Sequence, residues 1–225
     1  MKTQILKMMA LTVTAFVVII ITSSKKTKAA EKNIVVTEFK DVRNIHKISI
    51  MGNVELHLTQ GTRENLKVHN AYYSKNALVQ WENGELRISS FENEKLTVHI
   101  TVTNLTALEA SGESTVATTN QLSAVDLDIQ LKDNATAKVQ AAAINISSTL
   151  SGKAQLDIEG ESINQHIGLS GAAGYQASNF DTQNRSMLIT NNAVATISQQ
   201  GQSTQIKAVT NIPEQEDVMA FEPVL

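Results

Sequence analysis

The chain has 225 residues and a formal net charge of −3, which leaves room for one domain of ordinary size or two small ones. It contains no cysteine, so disulfides, cysteine-based metal sites and a lipid anchor on an N-terminal cysteine are excluded. Hydrophobic residues make up 42% of the chain but aromatic residues only 4%, and this inventory of Ala, Val, Ile and Leu suits thin, regular β layers better than one bulky core.

The N-terminus has the features of an export signal. Lys2 and Lys7 supply positive charge, and an apolar run of fifteen residues follows at 8–22. That run is shorter than the roughly 20 residues of a membrane span, and small residues follow it, as at a cleavage site. Residues 1–30 are therefore predicted to be a signal peptide, with an uncleaved N-terminal anchor as the alternative.

Removal of the signal changes the charge of the chain. Residues 1–30 hold five lysines and no acids, so the remainder has 14 basic and 22 acidic residues, a net charge near −8. Such a charge argues against nucleic acid and anionic membrane surfaces as partners. The exported chain is expected in the periplasm, at the cell surface or in the medium, without membrane contact after signal removal.

Residues 31–105 are predicted to form an N-terminal β region, made of a first coil and hairpins. Around Gly52, apolar residues alternate as on a strand with one buried face, and they are Ile48, Ile50, Val54, Leu56 and Leu58. Further on, Asn83-Gly84 stands between two strand-like runs, which is a strong signal for a hairpin. Residues 95–103 then alternate as another strand.

An internal repeat in residues 106–212 is the strongest pattern of the chain. Five turn-forming dipeptides recur there, with their second residues 21, 19, 19 and 20 positions apart: Ser111-Gly112, Lys132-Asp133, Ser151-Gly152, Ser170-Gly171 and Thr190-Asn191. Two positions after each dipeptide stands a small residue, namely Ser114, Ala135, Ala154, Ala173 or Ala193. Residues of similar type also recur at further positions spaced two apart on both sides of each dipeptide, which is the period of a strand. One strand therefore ends at each dipeptide and another begins there, with the dipeptide at the corner.

A repeat of this size cannot bury its own apolar face, but stacked repeats form a continuous core. The pattern predicts an all-β fold, namely a β-solenoid (single-stranded β-helix) with coils of about 20 residues, preceded by the N-terminal hairpin region. Residues 213–225 hold four acids and no base, and they are predicted to be an exposed acidic C-terminal tail that also blunts the open end. Open solenoid ends also make a homo-oligomer a reasonable expectation.

The Ser-Gly corners, after the opening Ile48-Ser-Ile-Met-Gly-Asn-Val-Glu-Leu, resemble the putative auto-transporter adhesin head GIN domain family of exported Bacteroidetes proteins. The segment Leu105-Thr-Ala-Leu-Glu-Ala-Ser-Gly is similar to the most recognisable part of that family, and the resemblance covers roughly residues 38–210. It implies a β-helical fold and an exported location, and it transfers no catalytic residues. The chain departs from the pattern at two corners that lack glycine, Lys132-Asp133 and Thr190-Asn191.

Carboxylates at strand spacing are the first candidates for chemistry. They form two groups, Asp126 with Asp128, and Asp157 with Glu159 and Glu161. A glycoside hydrolase needs two carboxylates roughly 5–10 Å apart, and neighbouring coils stack about 4.8 Å apart, so a pair across a cleft can be imagined. Outward acids that keep an alternating strand soluble are the favoured interpretation.

Other site chemistry is sparse. Arg185 is the only arginine among the repeats, and two aromatic residues occur there: Tyr175, expected in the core, and Phe180, which could be exposed. Trp81 in the hairpin is expected in the core. The five histidines lack metal-ligand spacing and are predicted to be isolated; they are His46, His57, His69, His99 and His166. No catalytic, cofactor or metal site is predicted, although calcium between coils is left open.

The sequence thus predicts a non-enzymatic, exported cell-envelope protein that presents a β-solenoid surface for adhesion or for interaction with a protein or glycan. Two alternatives remain open. One is a periplasmic accessory or stress-response protein with a specific partner, and the other is a carbohydrate-active β-helix enzyme. A groove that holds paired carboxylates, a basic residue and an exposed ring would favour the enzyme.

Overall fold

The structure is a computed structural model that describes residues 36–39, 42–69, 77–90, 94–199 and 202–207. The chain divides into two units, Met1–Asn33 and Ile34–Leu225, and all described residues belong to the second. The predicted signal peptide and the predicted acidic tail lie outside the described residues. Within the described part, no helix is long and apolar enough to cross a membrane.

The described residues form a 15-stranded sheet and contain no helix, which confirms the all-β prediction for this part of the chain. The strands are β1 (Val36–Phe39), β2 (Lys47–Gly52), β3 (Val54–Gln60), β4 (Asn65–His69), β5 (Ala77–Glu82), β6 (Glu85–Ser90), β7 (Leu96–Val102), β8 (Ala107–Ser111), β9 (Thr115–Thr118), β10 (Leu122–Leu131), β11 (Thr136–Leu150), β12 (Gln155–Leu169), β13 (Gly174–Ile189), β14 (Val194–Gln199) and β15 (Gln202–Lys207).

The sheet has two walls whose inward side chains share one core. Wall A contains β2, β5, β6, β8, β10 and the second halves of β11, β12 and β13. Wall B contains β1, β3, β4, β7, β9, β14, β15 and the first halves of β11, β12 and β13. The long strands β11, β12 and β13 therefore each run through both walls. A pass is one crossing of both walls, made either by one of these long strands or by two short strands such as β2 and β3.

From β8 onward, successive passes pair in parallel at a separation of 19 to 21 residues. In wall A, Leu131 pairs with Leu150, Leu150 with Leu169, and Leu169 with Ile189. The three leucines are buried, and Ile189 on the last pass is half-buried. Alternation with a period of two therefore sends one apolar column into the core, as the sequence pattern predicted.

The predicted turn dipeptides lie where the chain passes from wall A to wall B, with their second residues in the left-handed backbone region. The φ angle is 75° at Gly112 and 74° at Gly152 and Gly171, and it is 60° at Asp133 and 58° at Asn191. Asp and Asn tolerate this conformation better than other residues with a Cβ atom. The two corners without glycine therefore keep the same backbone turn.

The N-terminal passes do not follow chain order in space. The pass β2–β3 lies between two passes built from later residues, because β2 pairs in parallel with β6 and β8, and β3 pairs in parallel with β7 and β9. The predicted hairpin is present, since β5 and β6 pair antiparallel across Asn83-Gly84. Strand β4 continues wall B beyond β7 in the antiparallel direction, and β1 follows β4 in the same way.

Candidate binding groove

Two rows of outward side chains cross wall B from one pass to the next. The first row consists of Glu55, Thr115, Thr136, Gln155, Gly174 and Val194. The second row lies two residues further along each strand and consists of Ala117, Lys138, Asp157, Gln176 and Thr196. The residues between the two rows point into the core, because neighbours on a strand face opposite sides.

A groove of about 420 Å³ lies between these rows. Its floor is the strip of strand between the two rows. The residues of this strip have side chains that point into the core on the opposite side of the sheet, and they are Leu56, Val116, Ala137, Leu156 and Tyr175. The groove crosses six strands from β3 to β14, which gives it a length of roughly 24 Å at the usual strand spacing. Threonine and glutamine side chains along it offer hydroxyl and amide groups, and the threonine methyl groups offer apolar contact. Such a lining can hold an extended chain that has both polar and apolar groups.

An ion pair joins two residues of the second groove row. Lys138 Nζ lies 3.7 Å from Asp157 Oδ2, and 80% of the lysine side chain is exposed. An exposed pair of this kind contributes little to stability. Both charges are therefore free to exchange partners when a ligand enters the groove.

Asp126 and Asp128 lie on wall A, away from the groove. Asp126 Oδ1 accepts a hydrogen bond from Asn145 Nδ2 at 2.7 Å, which begins a ladder of amides across the strands. Asn164 donates to Asn145 at 2.8 Å and Asn184 donates to Asn164 at 3.0 Å. Asp128 accepts a hydrogen bond from Gln130 at 2.7 Å. These two carboxylates thus belong to a polar network on the outer face of wall A.

The second group of carboxylates faces the other way. Asp157 and Glu159 lie on wall B, where their buried neighbours Leu156 and Ile158 point into the core. They and the pair on wall A are outward residues of different walls, with the core between them. The carboxylate pair across a cleft that a glycosidase requires is therefore not formed by these residues.

Gln165 on β12 connects Tyr175 and Arg185, which both lie on β13. The Tyr175 hydroxyl accepts a hydrogen bond from Gln165 Nε2 at 2.6 Å, and Gln165 Oε1 accepts one from Arg185 Nε at 2.5 Å. Burial raises the pKa of Tyr175 well above its ordinary value, so the phenol stays neutral and can serve this network. The prediction that Tyr175 belongs to the core is confirmed, and Arg185 is a structural partner of that core rather than a neighbour of the carboxylates.

The two other aromatic candidates differ from expectation. Phe180 is only 4% exposed, because it turns into the core where β13 passes from one wall to the other. Trp81 was expected in the core and is 38% exposed. Its strand β5 is the last strand of wall A, so packing covers the indole from one side only.

Three histidines come together on wall B, which corrects the prediction that all five are isolated. The rings of His57 and His99 stack with their centroids 4.5 Å apart and an interplanar angle of 10°. His69 meets His99 edge-on at 4.8 Å. The strands β3, β7 and β4 lie side by side and place the rings in contact, with His57 and His99 directly paired. Sequence spacing gives no signal for this cluster, which depends on the register of strands far apart in the chain.

Charged side chains connect the histidine cluster with the groove. Glu55 belongs to the first groove row, and its Oε1 lies 3.5 Å from His57 Nε2. Its other carboxylate oxygen lies 3.5 Å from Lys95 Nζ. Shielding of the His99 ring from water lowers its pKa below the ordinary value, and the neighbouring His57 and His69 lower it further. His99 therefore favours the neutral state, and the cluster lies at the β3 end of the groove.

The ring geometry does not suit a metal ion as it stands. Stacked imidazoles have nearly parallel planes, so their in-plane lone pairs do not converge on one point. Among the residues that the structure describes, no group of three His, Asp or Glu side chains is arranged to hold a metal. The other two histidines lie elsewhere, with His46 Nδ1 at 3.3 Å from the Asn44 carbonyl and His166 Nδ1 at 2.6 Å from Ser186 Oγ.

Acidification is expected to destabilise the fold through His99. Because its folded-state pKa is lowered, the unfolded chain binds more protons as the pH falls through about 6.5 and below. The stabilising contribution is therefore complete above about pH 6.5 and is lost as the pH falls through the folded-state pKa. Urea unfolding between about pH 7.5 and pH 5 should show a smaller loss of stability in His99→Gln than in the parent. An equal loss in both proteins would contradict this expectation, and His166→Gln is the control.

A family model described as "Putative auto-transporter adhesin, head GIN domain" matches residues 44–209. Among curated proteins, no match to the chain was found. Several solved structures share the fold, and at these levels of identity the likeness concerns the fold alone.

One is a putative adhesin from Parabacteroides merdae ATCC 43184, with a TM-score of 0.60 and 14% identity, covering 72% of this chain and 80% of that one. A putative adhesin from Parabacteroides distasonis ATCC 8503 has a TM-score of 0.58 and 14% identity, covering 73% and 82%. A protein from the same strain, described as a putative lipid binding protein, has a TM-score of 0.52 and 10% identity, covering 73% and 96%.

Proposed function

Because the chain belongs to the putative auto-transporter adhesin head GIN domain family, we propose that it is an exported, non-enzymatic protein of the cell envelope. In this proposal it presents the groove on wall B to a protein or glycan partner. The groove of about 420 Å³ across six strands is the observation that carries the proposal. The sequence features of a signal peptide and the family membership support the exported location.

The proposal includes a β-solenoid as the scaffold. Parallel pairing at 19 to 20 residues and buried columns that continue from pass to pass support this interpretation. A stack of passes presents a long surface whose chemistry repeats at the strand spacing. An extended partner, with groups repeated at short intervals, is suited to such a surface.

The placement of acidic groups supports a binding role over catalysis. Asp126 and Asp128 lie on one wall, and Asp157 lies on the other beside Lys138. Hydrolysis of a glycan needs an acid and a second carboxylate on either side of one bond. The groove holds two carboxylates, Glu55 and Asp157, but they lie three strands apart, roughly 14 Å at the usual strand spacing, which is too far for such a pair. Its threonine and glutamine side chains suit recognition of a chain through hydrogen bonds and methyl contacts.

A matched pair of threonines in β11 tests the proposal. Thr136 lies in the first groove row, and Thr149 is exposed on wall A of the same strand. Thr136→Arg should fill the groove and reduce binding of the purified exported protein to its hits on a glycan and peptide array by about tenfold or more. Thr149→Arg adds the same charge elsewhere and should leave binding within about twofold of the parent.

Two results would count against the groove as the binding site. One is equal binding by the parent and Thr136→Arg, and the other is an equal loss in Thr149→Arg. Binding to one envelope protein and to no glycan would favour the accessory role with a specific partner. Release of cleaved sugar from any array glycan would contradict the non-enzymatic assignment.

A further inference from the structure

The histidine cluster of His57, His69 and His99 has charged neighbours that balance one another. Glu55 on β3 contacts His57 and lies 3.5 Å from Lys95 Nζ, just before β7. Lys67 on β4 lies 3.8 Å from Glu38 on β1. These two lysines and two glutamates sum to zero. Glu55 can offset a proton on His57, but it also pairs with Lys95. Each proton that the histidines accept therefore raises the net charge of this group of side chains by one.

Protonation of neighbouring rings in contact is unfavourable without a counter-ion. The centroids of His57 and His99 are 4.5 Å apart, and those of His69 and His99 are 4.8 Å apart. Like charges at this distance repel, and the lowered pKa of His99 agrees with that repulsion. An oxyanion beside the rings would relieve the repulsion and accept hydrogen bonds from imidazolium N–H groups. By thermodynamic linkage, protonation must then strengthen anion binding, and the anion must strengthen protonation.

We propose that the histidine cluster is a proton-gated site for an oxyanion, a sulfate or carboxylate group, that binds when the rings are protonated. His57 pairs with Ala117 of the second groove row, so an anionic group of a chain lying in the groove would come within reach of the rings. This origin of the anion rests on the proposed function, whereas the anion site itself does not. The groove would then hold an acidic chain more tightly in acidic surroundings than in neutral ones.

A divalent metal at the same place predicts the opposite pH dependence. Metals bind neutral imidazole, so their affinity falls as the rings become protonated. The parallel planes of His57 and His99 also keep their lone pairs apart. The direction of the pH effect therefore separates the two ligand classes.

Titration of the histidine ring signals by NMR tests the site directly. The purified exported protein is titrated in sodium sulfate and in sodium chloride at equal ionic strength. Sulfate should raise the pKa of His57, His69 and His99 by about half a unit or more. His46 and His166 lie outside the cluster and should titrate alike in both salts. The shifts at His57 and His69 should shrink in His99→Gln and persist in His166→Gln.

Three outcomes would overturn the inference. They are equal pKa values in the two salts, equal sulfate shifts at all five histidines, and tight zinc binding at neutral pH that competes with any sulfate effect. A circular dichroism spectrum that matches the parent shows that His99→Gln is folded. Should that variant unfold, the parent titration alone decides.

The source of the anion is tested with a sulfated oligosaccharide. If the anion belongs to a chain in the groove, its affinity should fall in Thr136→Arg, while the free-sulfate shifts remain as in the parent. If free sulfate is the ligand, both affinities should be insensitive to Thr136→Arg. If the groove proposal is wrong, the pKa shifts caused by free sulfate remain. If the anion site is wrong, these shifts are absent, whatever binding the glycan and peptide array detects.

Discussion

Replacement of Gly160 by alanine is expected to destabilise the protein by roughly 3 kcal/mol or more, because two effects act together. The φ angle of Gly160 is 120°, a region that residues with a Cβ atom rarely adopt. A Cβ atom at this position would also lie 2.0 Å from the carbonyl oxygen of Ala141 on the neighbouring pass. The obstacle is backbone, so the pairing of β11 with β12 must shift to make room.

Gly168 in the same strand is the matched control for this prediction. The nearest heavy atom to a Cβ atom there would be Thr149 Oγ1 at 3.9 Å, which is an ordinary contact. Gly168→Ala should therefore change stability by less than about 1 kcal/mol, because the lower entropy of the unfolded chain offsets any small packing cost. Urea unfolding followed by circular dichroism gives both values. Similar losses in the two variants would show that neither the φ angle of Gly160 nor its close approach to Ala141 is the constraint.

Replacement of Ala173 by leucine is expected to cost about 1–3 kcal/mol through overpacking. Ala173 is 1% exposed and follows the corner of the last complete pass. The equivalent residues of the neighbouring passes, Ala154 and Ala193, are fully buried, so a larger side chain meets packed neighbours on both sides. The same unfolding measurement would detect the loss.

Ala172 is the control, because it is the adjacent alanine and is exposed. Ala172→Leu should stay within about 0.5 kcal/mol of the parent. If both leucine variants lose the same stability, a larger side chain anywhere at the corner would be harmful. If neither variant loses stability, the alanine column does not limit the separation of the walls.

The repeated passes could be predicted from the sequence because their signal is local. Columns such as Leu131, Leu150 and Leu169 recur at a fixed interval, and alternation sends them to one side of each strand. The hairpin at Asn83-Gly84 was accessible for the same reason, since its turn residues and strands are contiguous. The predominance of polar residues on the outward rows also followed from alternation.

The histidine cluster and the order of the N-terminal passes could not be predicted in this way. His57 and His99 become neighbours because β3 pairs with β7, and nothing within either strand specifies that partner. The exposure of Trp81 likewise depends on β5 being the last strand of its wall. The groove depends on the curvature of six strands together, which an alternating pattern does not encode.

The position of the pass β2–β3 has a consequence for the order in which the chain can fold. The passes after β10 each pair with residues only 19 to 21 positions earlier, so each can dock as soon as it is made. The side chain of Thr106 instead bonds to the His46 carbonyl 60 residues away. Loop closure over that distance is entropically costlier and slows folding. In a chain delivered N-terminus first, β2 and β3 must therefore stay without their parallel partners until β6 and β7 have arrived, so this part of the chain is available to a chaperone for longest.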